Sequence, residues 1–111
     1  MTPPTDTRRA RILAVARKHF GRHGYRRAVL DEIAAEVGCA KGSLYLEFPG
    51  KKELFFAVLD DVEAEVGRRF MDALAGVTSP AAWLRQGLVL GFNTLEREPL
   101  LARLLADEPD M

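Results

Sequence analysis

The segment Cys39-Ala-Lys-Gly-Ser-Leu-Tyr-Leu-Glu-Phe48 crowds a cation, a glycine and two hydroxyls between Lys41 and Tyr45. A helix built only for packing would carry Leu and Ala there. Lys41 offers an ammonium to phosphate or to guanine acceptors, and Ser43 and Tyr45 offer hydroxyls that reach phosphates or base edges. Gly42 lets a backbone come close to a partner. If the segment opens a helix, its free N–H groups add an attraction for anions. Further cations flank it: Lys51 just downstream, Arg26 and Arg27 upstream, and Arg8 and Arg9 near the N-terminus.

Other reactive residues point to less. His19 and His23 have the i, i+4 spacing of a metal pair but no third ligand stands out, and no metal site is expected. Cys39 reads as a small apolar filler; as a redox switch it is the lesser alternative. The chain has no phosphate loop, no Gly-x-Ser-x-Gly and no Cys/His arrangement of recognisable spacing, so neither an enzyme nor a cofactor is expected. Asp60, Asp61, Glu63 and Glu65 read as a solvated outer helix face.

The composition fits a small globular domain: 111 residues, 48% hydrophobic and 29% charged. No apolar run is long enough to span a bilayer, and the N-terminus lacks the apolar core of a secretory signal. One cysteine excludes an internal disulfide framework and fits a reducing cytoplasm. The formal net charge is zero, yet residues 1–52 hold 11 Lys/Arg against 5 Asp/Glu (+6), and residues 53–111 hold 5 against 11 (−6). A basic half joined to an acidic half points to a polyanionic partner for the first.

The elements that must position these groups read as helices throughout. Strand alternation and hairpin turns are missing. Ile12, Ala16 and Phe20 stack at i, i+4, i+8 in a first helix from about Thr7 to His23, stopped by Gly24. Leu30, Ile33, Ala34 and Val37 mark a second, from about Val29 to Glu36, broken by Gly38. A short third covers about Ala40 to Leu46, before the Phe48-Pro49-Gly50 turn. Leu54, Val58, Val62, Val66, Phe70 and Leu74 define a long fourth from near Lys51. Ser79-Pro80 starts a fifth, to about Arg97, and Glu98-Pro99 opens a short sixth with Leu100, Leu101, Leu104 and Leu105. Met1 to Asp6 reads as a disordered arm.

The fold class is therefore all-α. Helices two and three around Gly38 have the layout of a helix-turn-helix, whose second helix leads into the major groove with its N-terminal residues. On the residues alone, a plain helical bundle with Tyr45 in its core stands beside that reading.

From Arg11 to Leu59 the sequence resembles the DNA-binding domain of the TetR family of bacterial transcriptional regulators. The resemblance lies in Ile12-Leu13, Ala16, Phe20, Gly24-Tyr25, Asp31-Glu32-Ile33-Ala34, Gly38, Lys41-Gly42-Ser43-Leu44-Tyr45, Phe48, Lys51, Glu53-Leu54-Phe55 and Ala57-Val58-Leu59. It implies a helix-turn-helix domain over residues 1–52 and, over 53–111, part of a helical effector-binding and dimerisation domain. It further implies a homodimer on a palindromic double-stranded DNA operator, acting mostly as a repressor and released by a small-molecule effector. Lys41, Gly42, Ser43, Tyr45 and Lys51 are the DNA contacts it carries over; Arg26 and Arg27 join them on charge. Trp83, Phe92 and Met71 are candidates for an effector pocket.

The sequence departs from the family at Ala28, usually Thr, where a phosphate contact is lost. It departs at Ala40, commonly Ser, where the third helix loses a cap, and at Glu47, commonly His, where a carboxylate would repel phosphate or accept from cytosine. Cys39 stands where Val is usual. Family members are longer, so Leu100, Leu101, Leu104 and Leu105 are expected to lack covering helices. The favoured explanation is a fragment of a longer regulator. The others are a naturally short dimer, and a protein-interaction module or decoy that pairs through its leucine-rich C-terminal helices.

Overall fold

The computed structural model describes residues 7–107, with side chains as far as Leu104. The expected arm, Met1 to Asp6, and the side chain of Leu105 lie outside that range. Six helices follow in order among the described residues: α1 (Arg8–Arg27), α2 (Leu30–Val37), α3 (Lys41–Glu47), α4 (Lys51–Leu74), α5 (Pro80–Arg97) and α6 (Pro99–Asp107).

Local chemistry sets the boundaries. Thr7 caps α1 by accepting from the Ala10 amide at 3.1 Å, and Ser79 caps α5 by accepting from the Ala82 amide, with Pro80 in the first turn. Gly24, at φ 83° and ψ 171°, breaks the α1 ladder as expected, but a further turn, Tyr25 to Arg27, continues beyond it.

One apolar core joins the helices. Ile12, Ala16 and Phe20 of α1 meet Ile33 and Ala34 of α2, Leu44 of α3, Phe48, and Leu54, Phe55, Val58 and Val62 of α4. Phe20, Tyr25 and Phe55 form its aromatic centre, with Phe55 edge-on to both other rings at 5.0 Å. The core runs without a gap across Lys52–Glu53. Helix α1 is the hub, packing against α2, α4 and α6.

The expected uncovered leucine helix is corrected here. Helix α6 folds back onto α1, so that Leu100 is 2% exposed and Leu101 and Leu104 pack half-buried on the core. Gly21 makes this possible. A Cβ there would stand 3.2 Å from Pro99 Cβ and 3.4 Å from the Leu100 amide, tighter than most packed contacts, so α6 would have to shift by a few tenths of an ångström. Arg103 reinforces the crossing by donating to the carbonyls of Gly21 (3.2 Å) and Arg22 (2.9 Å), in the last turn before the Gly24 break. An uncovered apolar stripe lies instead on α5: Leu84, Leu88 and Phe92, at i, i+4, i+8, are all more than half exposed.

Glu65 also departs from expectation, because it is not merely solvated. Arg17 donates to Glu65 Oε2 at 2.7 Å and grips Glu98 through Nε (3.2 Å) and Nη2. One guanidinium thus ties α1 to α4 and to the α5–α6 junction, and its planar fork suits a two-point grip on a carboxylate.

The hydrogen bond from Arg17 holds Glu65 below its ordinary carboxylate pKa. A depressed folded-state pKa stabilises the fold fully above the ordinary carboxylate range, and that contribution disappears as pH falls through the folded value. Arg17→Leu should therefore be less stable than the parent at pH about 7, by roughly 1–3 kcal/mol. The gap should narrow as pH falls from neutral through the depressed Glu65 value, where the carboxylate that Arg17 grips loses its charge. Thermal melts of both proteins across that range check this; a gap independent of pH would show that the loss is one of packing alone.

Candidate nucleic-acid interface

The short helix α3 takes its place from its neighbours. Gly38 ends α2 in the left-handed conformation, φ 88° and ψ 28°, and donates to the carbonyls of Ala34 (2.9 Å) and Ala35 (3.2 Å), while Cys39 donates to Ala34 at 3.0 Å. A side chain at Gly38 would strain that turn by about 1 kcal/mol or more. The chain then leaves α2 in a new direction and α3 begins at Lys41. Ala40 occupies the N-cap without a side-chain hydrogen bond. Leu44, fully buried, and Phe48, 2% exposed, fix the inner side of α3.

What faces outward is the group singled out from the sequence. Lys41 and Tyr45 lie one turn apart, and Tyr45 is 40% exposed. The Lys41 ammonium stands 2.9 Å from Asp31 Oδ1 and 5.9 Å from the centre of the Tyr45 ring. The hydrogen bond to Asp31 holds it above the ordinary lysine pKa, so it is fully charged. Gly42 is exposed, and a Cβ built on it would meet nothing within 4 Å. Ser43 is half-buried at the same tip.

Lys51 sits differently from a freely projecting cation. Its ammonium donates to the carbonyl of Arg26 at 3.0 Å and lies 4.9 Å from the Tyr25 ring centre, and burial pushes its pKa down. It ties the start of α4 to the end of α1, where Arg26 and Arg27 are exposed.

The Glu47 carboxylate does not stand unpaired. Arg8 donates to it through Nε at 3.1 Å, with Nη2 also at 3.1 Å from the same oxygen. Arg9 donates to the Glu47 carbonyl at 3.4 Å and lays its guanidinium 4.4 Å over the Phe48 ring. The first turn of α1 therefore grips the end of α3. Local periodicity carries no trace of these pairs, nor of Asp31 with Lys41, because each joins different helices.

The second half of the chain offers no matching convergence. Trp83, Met71 and Phe92 are 52%, 75% and 67% exposed. Trp83 and Phe92 are nine positions apart on α5, which sets them on opposite sides of one helix. An apolar groove of about 520 Å³ runs instead between Leu59, Val62, Val66, Phe70 and Leu101. His19 is buried and its Nε2 donates to Glu36 at 2.9 Å, while its ring meets that of His23 edge-on at 5.9 Å. Among the described residues no cluster of three or more His, Cys, Asp or Glu could hold a metal ion. None of the described helices is long and apolar enough to cross a membrane.

Residues 12–58 match the family model of the bacterial regulatory proteins, tetR family. The transcriptional activator FasR of Mycolicibacterium smegmatis is 33% identical over 102 residues, which is 92% of this chain and 47% of that protein. The transcriptional regulator LmrA of Bacillus subtilis is 35% identical over 108 residues, 93% of this chain and 57% of that protein. The transcriptional regulator EthR of Mycolicibacterium smegmatis is 26% identical over 102 residues, 91% and 47% respectively. The chain thus spans about half the length of these relatives. Its departures at Ala28, Ala40 and Glu47 leave the helix-turn-helix intact, and residues 12–58 form the domain shared with the bacterial regulatory proteins, tetR family.

Proposed function

We propose that this chain is the DNA-binding part of a bacterial transcriptional repressor that occupies a palindromic operator as a homodimer and is released by a small-molecule effector. One observation carries the reading: α3 is pinned by Leu44 and Phe48 while Lys41, Gly42 and Tyr45 stay exposed to solvent. Nothing inside the protein requires a glycine at position 42, since a Cβ there meets only open space. A helix of seven residues that accepts a helix-weakening glycine at its tip is adapted to something outside itself.

Lys41, Ser43 and Tyr45 contact phosphates and base edges, with Gly42 giving the backbone close approach. Lys51 acts chiefly by holding the α1–α4 corner, from which Arg26 and Arg27 add charge towards the phosphates. Residues 1–52 form the DNA-binding domain, and residues 53–111 belong to the effector-binding and dimerisation domain. Trp83, Phe92 and Met71, exposed on α4 and α5, are the residues proposed there to contact an effector. In a dimer, two α3 tips about 34–36 Å apart would meet successive major grooves. The reading places the protein in the cytoplasm with its DNA. Relatives named as transcriptional regulators support the role; the repressor sense rests on the family resemblance, FasR being named as an activator.

The direct test is titration against a random duplex at low salt, followed by selection of a preferred sequence from a randomised pool. A protein that ignores duplex DNA altogether would sink the proposal. Lys41→Ala should weaken binding and lower the slope of log affinity against log salt by about 0.9, the loss of one phosphate contact. Gly42→Ala should keep or raise thermal stability, by up to about 1 kcal/mol, yet weaken duplex binding. Parental affinity in that variant would remove the close backbone approach.

A further inference from the structure

We infer that Asp31 is an internal competitor for DNA phosphate: its carboxylate holds Lys41 in the free protein, trims binding to arbitrary duplex, and so raises discrimination between operator and bulk DNA. The inference rests on the DNA-binding role just proposed. It concerns a residue to which that role assigns no function.

The geometry is specific. Asp31 lies in the first turn of α2, and Lys41 is the first residue of α3. Their side chains meet at 2.9 Å across the turn that Gly38 creates. Both remain well exposed, at 66% for Asp31 and 51% for Lys41, so the pair faces the solvent into which DNA must come. Asp31 is well exposed, and as an acid in the first turn of α2 it gains only a modest stabilisation from the helix dipole. An exposed ion pair contributes little to folding, about 0–1 kcal/mol. Its effect on an approaching polyanion is far larger in proportion. Non-specific affinity comes almost entirely from cations that displace counterions from phosphate. A Lys41 already neutralised at 2.9 Å brings no net charge to that exchange, and Asp31 itself repels the backbone.

A lysine ammonium has three donors. Asp31 occupies one and fixes the ammonium beside the Tyr45 ring. The two remaining donors then point in defined directions. An acceptor in the right place, such as a guanine edge in an operator, can be met without breaking the pair, whereas a phosphate elsewhere requires Lys41 to let go. The Arg8–Glu47 pair is a contrast. Glu47 is only 25% exposed, and the pair straps α1 to the end of α3, so it serves the fold.

The test uses the full chain, three single variants and one double variant. Asp31→Asn keeps the size and removes the charge. Asp60→Asn removes one charge from an exposed position on α4 and controls for net charge. Asp31→Asn, Lys41→Ala double substitution closes a thermodynamic cycle with Lys41→Ala. Binding is read by fluorescence anisotropy against a random-sequence duplex over a salt series, and against the duplex that the parent enriches from a randomised pool. Asp31→Asn should bind random duplex several-fold more tightly, with a salt slope steeper by about 0.9. It should gain less on the enriched duplex, so that the ratio between the two falls. The gain should vanish in the Lys41→Ala background.

Equal or weaker binding by Asp31→Asn overturns the inference, as does an equal gain in Asp60→Asn or a gain that survives without Lys41. The two proposals fail separately. A parent that binds duplex, beside an unresponsive Asp31→Asn, removes only the competitor role. Silence from the parent and every variant removes the DNA-binding role as well.

Discussion

A helix of seven residues has no stability of its own. Nucleating so short a segment costs more than its few hydrogen bonds return, and the N-cap of α3, Ala40, supplies no side-chain bond. The conformation of α3 is therefore imposed from outside. The left-handed Gly38 sets its direction, Leu44 and Phe48 bury its inner side, and Arg8 and Arg9 hold its end. Everything proposed for Lys41, Gly42 and Tyr45 depends on that external bracing, because a free segment of the same sequence would present no fixed surface.

Helix α1 supplies most of the bracing. Its inner stripe, Ile12, Ala16 and Phe20, is wholly buried. Its polar positions are used as well: Arg8 and Arg9 reach α3, Arg17 reaches α4 and the α5–α6 junction, and His19 with Lys18 reaches Glu36 at the end of α2. A basic helix in a basic half of the chain thus spends several of its cations internally. The +6 balance of residues 1–52 overstates the charge free to meet DNA, since Arg8, Arg17, Lys18 and Lys41 all have carboxylate partners.

The elements themselves were legible in the sequence, because each obeys a short-range rule. The i, i+4 stripe gave α1 and α4, Ser79-Pro80 the start of α5, and Gly38 the corner between α2 and α3. The outward residues of α3 were less legible: Leu46 is as apolar as Leu44 yet 80% exposed, and Tyr45 suited a core as well as a surface. What could not be read were pairings between segments far apart in the chain. Arg17 and Glu98 are separated by 81 positions, and no local pattern relates them. The leucines of α6 looked uncovered because their cover is α1, at the other end of the sequence. Lys51 looked free because its acceptor is a backbone carbonyl, which carries no sequence signature.

The contact over Gly21 has a mechanical consequence. Most helix crossings are cushioned by side chains that can change rotamer, but here Pro99 and Leu100 rest almost on bare backbone. Close-packed interiors are nearly incompressible, so this junction has little give. A push on α6 would arrive at α1 nearly undiminished, a few residues from the Gly24 break. The half of the chain assigned to effector and partner is thus stiffly geared to the half assigned to DNA.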